Sequence, residues 1–98
     1  MNITRLKHDS TLTLSVEGRL DTLTAAQFEE ELKQTLDGIT ELILDFQKLQ
    51  YISSAGLRVL LAAQKTMNRQ GAMRLVGVSE PVREVFDITG FSDFLTIQ

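Results

Sequence analysis

Two adjacent serines, Ser53 and Ser54, lie between an apolar run that reaches Ile52 and an apolar helical pattern that begins at Leu57. Backbone N–H groups at a helix N-terminus have no intrahelical partner, and the helix dipole is positive there. A phosphate carried by a serine at that point is therefore stabilised. Arg58 follows Ser54 by four residues, one turn along the same face. The chemistry this favours is modification of a hydroxyl, not turnover of a substrate. A serine nucleophile needs a base, but the single histidine, His8, falls on the first strand pattern, and no Gly-x-Ser-x-Gly elbow surrounds the serines. Lys65 is poorly placed on the helical wheel to serve instead. No glycine-rich phosphate loop precedes a helix. Taken without their surroundings, the serines read first as N-cap hydroxyls, which any helix start favours.

The elements that would position them follow from apolar spacing. Asn2 to His8 is a weak strand with Ile3 and Leu6 as its apolar members. Thr11 to Glu17 alternates cleanly through Leu12, Leu14 and Val16, and Asp9-Ser10 supplies the turn of a hairpin. Thr24-Ala25-Ala26-Gln27 fits a capping box with Thr24 as N-cap. The helix it opens carries Phe28, Leu32 and Leu36 on one face, with Leu23 available to staple onto Phe28, and ends at Asp37-Gly38. Glu41 to Phe46 is a continuous apolar run, which predicts a central strand covered on both faces. A helix from about Ser54 to Arg69 turns Leu57, Leu60, Leu61, Ala63 and Met67 inward, and Arg58, Lys65 and Arg69 outward as a solvated face. Ala72 to Val78 reads as a strand. Ser79 then caps a helix bearing Val82, Val85 and Phe86 that stops at Gly90, and Phe91 to Gln98 forms a last short strand or extended tail.

The order β-β-α-β-α-β-α-(β) predicts an α/β fold, a mixed sheet covered by helices, in one domain spanning residues 1–98. The loops holding Arg19 with Asp21 and Ser53 with Ser54 both follow strand C-termini, the edge where open sheets bind ligands and partners. The net charge of −3 disfavours a nucleic-acid surface, and the absence of cysteine with only one histidine excludes thiolate or histidine metal clusters. No apolar run approaches about 18 residues and no signal-peptide pattern opens the chain, so the expectation is a cytoplasmic protein without membrane insertion.

The elements Gly18-Arg19-Leu20-Asp21 with Thr24-Ala25, Leu44-Asp45-Phe46 with Leu49, Ile52-Ser53-Ser54-Ala55-Gly56-Leu57, and Leu75-Val76-Gly77 together resemble a STAS domain. The likeness is to the single-domain anti-sigma factor antagonists of bacteria and covers nearly the whole chain. It implies that Ser54, immediately before the small residue and glycine, is the phosphoacceptor, with Ser53 the less favoured one. Asp21, Ser53, Ser54, Gly56 and Arg58 then form the partner-binding set.

The resemblance also implies partner switching. The unmodified antagonist binds an anti-sigma factor that is also a serine kinase and so releases the sigma factor; phosphorylation weakens the complex, and a serine phosphatase restores it. The chain is then ligand and substrate, not enzyme, and needs no cofactor of its own, since Mg²⁺ and ATP belong to the kinase. Two departures stand out: Ser53 occupies a place where many relatives carry aspartate, and the chain stops at Gln98 where relatives commonly continue into a further helix. The alternative that keeps the fold is a constitutive adaptor subunit of a transporter or other signalling complex. Asp21 reads equally as a turn residue, Gly56 as a packing glycine, and Tyr51 as a contact residue or as half-buried packing.

Overall fold

Alternation decides which face of each strand is buried. In the computed structural model, which describes residues 1–98, β1 (Asn2–His8) and β2 (Thr11–Leu20) form the antiparallel hairpin expected from the Asp9-Ser10 turn. β3 (Glu41–Asp45) lies parallel to the first half of β2, and β5 (Ala72–Val76) lies parallel to β3. Register aligns Leu12 with Leu42 and Met73, and Leu14 with Leu44 and Leu75. These residues are all buried and form one wall of a 24-residue apolar core.

The helices supply the other wall. α1 (Thr22–Thr35) buries Ala25, Phe28 and Leu32, α2 (Ser54–Gln70) buries Leu57, Leu60, Ala63 and Met67, and α3 (Glu80–Thr89) buries Val82 and Phe86. The mixed α/β class predicted from element order is thus observed, with the helices confined to one face. β3 does not have the two-sided cover that its apolar run predicts. Glu41, Ile43 and Asp45 lie on the open face and are only half-buried, while Leu6, opposite Thr13, is 70% exposed there.

Several boundaries also move. β2 runs through Leu20 because Gly18, at φ 110, absorbs a register shift that lets the strand continue. The segment after β3 contains a further strand, β4 (Leu49–Ile52), too short for its alternation to register in the sequence. The N-cap of α1 is Asp21, not Thr24. Leu23 is then a first-turn residue, 83% exposed, and does not staple onto Phe28. Ser79 precedes α3, but its hydroxyl donates to the Leu49 carbonyl at 3.0 Å instead of capping the helix. Beyond α3, Gly90 adopts the left-handed conformation, and a 3₁₀ turn (Phe91–Asp93) leads to Ile97, which bridges parallel to Leu75.

Candidate functional site

The site exists because two parallel strands end together. β4 pairs with the last residues of β2, aligning Arg19 with Tyr51 and Leu20 with Ile52, and the Ser53 N–H donates to the Leu20 carbonyl at 2.9 Å. Each strand then passes at once into a helix. Asp21 caps α1 and Ser53 caps α2, so two helix N-termini emerge from one edge of the sheet.

The first cap is closed on itself. Asp21 Oδ1 accepts from the Thr24 N–H at 2.9 Å and lies 3.0 Å from the Thr24 hydroxyl, while the Asp21 N–H donates to Thr24 Oγ1 at 2.9 Å. The Thr24 hydroxyl also reaches the Arg19 carbonyl at 2.7 Å. The amide bond from Thr24, then its hydroxyl, hold the Asp21 carboxyl below its usual pKa, with the Arg19 charge a lesser cause. Threonine at the third helical position thus does what Gln27 was expected to do for a later cap.

The second cap is lighter. Ser53 Oγ accepts from the Gly56 N–H at 3.3 Å, and the first intrahelical bond runs from Leu57 N–H to the Ser53 carbonyl at 2.9 Å. Ser53 is half-buried and committed to the cap, whereas Ser54 is the first residue of α2 and is exposed. The amides of Ser54 and Ala55 point out of the helix end with no intrahelical acceptor. Gly56 is buried where a Cβ would lie 2.8 Å from Ile52 Cγ1 and 2.9 Å from Leu20 Cδ2. Its absent side chain lets the start of α2 press onto the ends of β2 and β4, so Gly56 sets the position of Ser54 from beneath the surface. Arg58 is exposed one turn along.

Of the five residues singled out in the sequence, Asp21, Ser53, Ser54 and Gly56 therefore meet where β2 and β4 end, and Arg58 follows on the next turn of α2. The Arg19 guanidinium was not among them. It stacks 4.3 Å above the Tyr51 ring centroid, a cation–π contact between exposed side chains beside the serines. Only the β2–β4 register brings the two together, and recognising Leu49–Ile52 as a strand was the signal that could have found it. His8 stands opposite Thr11 at the far end of β2, about nine residues and roughly 30 Å from the serines, so it cannot serve them as a base. No helix of the protein is long and apolar enough to cross a membrane.

Comparison with known proteins agrees with this architecture. The family model described as STAS domain matches residues 2–98. BtrV of Bordetella bronchiseptica, a candidate anti-sigma factor antagonist, is 41% identical over 93 residues, which cover 93% of this chain and 80% of that protein. An anti-sigma factor antagonist from Mycobacterium paratuberculosis superposes with a TM-score of 0.88 at 22% identity, covering 98% of this chain and 83% of that one. The anti-sigma factor antagonist SpoIIAA in its unphosphorylated form superposes with a TM-score of 0.85 at 20% identity, covering 99% and 88%. SpoIIAA of Bacillus is also known in a phosphorylated form, which superposes at 0.76 with 19% identity, covering 99% and 91%. At these identities the solved structures establish the fold alone.

Proposed function

We propose, since the chain belongs to the STAS domain family, that it is an anti-sigma factor antagonist whose hold on an anti-sigma factor kinase is released by phosphorylation of Ser54. The observation that carries this reading is the division of labour between the serines. Ser53 spends its hydroxyl on the cap, and Ser54 presents an exposed one at the first helical position. The resemblance to antagonists, 41% identical in the case of BtrV, supplies the partner class.

The kinase transfers the γ-phosphoryl of ATP to Ser54 Oγ. The hydroxyl proton passes to a kinase base, and ADP leaves. The product carries about −1.5 to −2 charge and three acceptor oxygens beside the free amides of Ser54 and Ala55 and the Arg58 guanidinium. Those groups satisfy the phosphate within the free domain, so no refolding is required. Burying it against a partner is a different matter: a cost of about 3 kcal/mol lowers affinity roughly a hundredfold. Hydrolysis by a serine phosphatase returns the binding form. Asp21 and Ser53 hold the two helix starts in register, Gly56 seats Ser54, and Arg58 is lost to the partner once it pairs with the phosphate. The protein acts in the cytoplasm as ligand and substrate, as one domain over residues 1–98, and holds no cofactor.

The test is phosphorylation of the full chain by purified anti-sigma factor kinases of the source organism with ATP, mapped by mass spectrometry. Phosphate should appear on Ser54 and vanish in Ser54→Ala. Modification confined to Ser53, or none with any of these kinases, removes the switch. Binding that is unchanged by Ser54→Asp points instead to a constitutive adaptor.

A further inference from the structure

Charge is unevenly spread along this chain. α2 carries Arg58, Lys65 and Arg69 and no acidic residue, within a chain of net −3, so everything outside α2 carries −6. At 100° per residue the three cations fall within about 40° of one another, and Ser54 borders them. All four residues are exposed. Outside α2, Arg5, Lys33, Arg74 and Arg83 each have a carboxylate within 4 Å, on Glu31, Glu29, Glu41 and Asp87 respectively, while Lys7, Arg19 and Lys48 are unbridged and scattered over other elements. The α2 cations have no such partner. Arg19 is not part of this strip: it stacks on Tyr51 on the sheet face opposite α2, since the neighbouring Leu20 and Ile52 are the side chains that point at Gly56.

Helix stability does not account for this arrangement. A cation in the last turn, such as Arg69, complements the dipole, but Arg58 lies near the positive N-terminal end, where it is opposed. We propose that the outward face of α2 docks an acidic strip on the anti-sigma factor and steers its approach. The proposal rests on the antagonist reading and extends it from one serine to a surface about 25 Å long. A polyanion such as nucleic acid fits less well, because the −6 outside α2 repels phosphates on either side of a narrow strip. Phosphorylation of Ser54 then opposes docking twice: it adds negative charge at the head of the strip, and it draws Arg58 into an internal pair.

The test uses the anti-sigma factor recovered with the full unphosphorylated chain, identified by mass spectrometry and purified. Its association rate is compared for the wild type and for Lys65→Glu/Arg69→Glu, both solvent-facing and remote from Ser54, at about 50 mM and about 500 mM salt. The double variant should associate about tenfold or more slowly at low salt, with the gap closing at high salt. Lys65→Gln/Arg69→Gln should fall between, and it decides the matter if the reversal unfolds the chain. Acidic-to-Lys changes on the partner should rescue the reversal.

Equal rates with phosphorylation-sensitive binding intact overturn the docking strip and leave the antagonist reading standing. Failure of the wild type to recover any anti-sigma factor removes both. Wild-type binding to duplex DNA or to phosphatidylglycerol vesicles, lost in the double variant, overturns the protein assignment of the strip.

Discussion

The starts of α1 and α2 are the same structural device built to two different ends. Each follows a parallel strand at one edge of the sheet, and each is capped by a side-chain oxygen that accepts from the amide three residues on. At α1 the cap is reciprocal: Asp21 and Thr24 bind each other's backbone, and the Thr24 hydroxyl is occupied as well. At α2 the cap is one bond of 3.3 Å, and the neighbouring hydroxyl of Ser54 is exposed. A closed cap stabilises; an open one leaves a group for another protein to act on. The difference turns on the residue three places after the cap: Thr24 returns a hydroxyl to the Asp21 backbone, whereas Gly56 has no side chain to return to Ser53.

The sharpest way to break this comparison is to load the open cap. Ser54→Asp should weaken binding to the anti-sigma factor by up to about a hundredfold, read by calorimetry, while leaving the melting temperature nearly unchanged. Loss of fold instead of loss of binding would make Ser54 a structural residue like Asp21. Next in size is the support beneath it. Gly56→Ala places a methyl against Ile52 and Leu20 and should destabilise the protein by about 1–3 kcal/mol in urea unfolding. A neutral result would mean that α2 is not seated by close contact.

Smaller still is the exchange between the serines. Ser53→Ala should cost about 1 kcal/mol of stability yet leave a phosphorylation site, whereas Ser54→Ala should abolish the site and change stability by less than about 0.5 kcal/mol. The reverse pattern would swap their roles. The smallest effect tests the closed cap. Because hydrogen bonds from Thr24 lower the Asp21 pKa in the folded state, its contribution is full above the ordinary value of 3.8 and is lost as pH falls through the lowered one. Thermal melts between about pH 5 and pH 2.5 should fall less steeply for Asp21→Asn than for the wild type. Identical slopes would show that the carboxylate gains nothing from the box.

Much of this site was legible before any fold was known, and the misses have definite causes. Arg58 and a helix from about Ser54 to Arg69 follow from local spacing, because helical periodicity over so many residues is a strong signal, while the choice of Ser54 follows from the family resemblance. The α1 cap was misread by three residues. Thr24-Ala25-Ala26-Gln27 and Asp21-Thr22-Leu23-Thr24 both satisfy capping chemistry, and choosing between them depends on where β2 releases the chain. β4 was missed because four residues with two apolar members carry no period. With β4 went the register that stacks Arg19 on Tyr51.

By itself the sequence determined the order of every element except β4, the mixed α/β class, the apolar faces of α1 and α2, and the presence of two hydroxyls where α2 begins. Each of these depends on residues within a few turns of one another, where backbone periodicity and capping preference act without help from the rest of the chain. Tertiary structure alone decided which serine is spent, which face of β3 is open, and that β4 pairs with the end of β2 so that Arg19 stacks on Tyr51. Those outcomes depend on β2 and β4 ending in register and on Gly56 letting α2 sit against Leu20, contacts between residues more than 30 positions apart that no local pattern encodes.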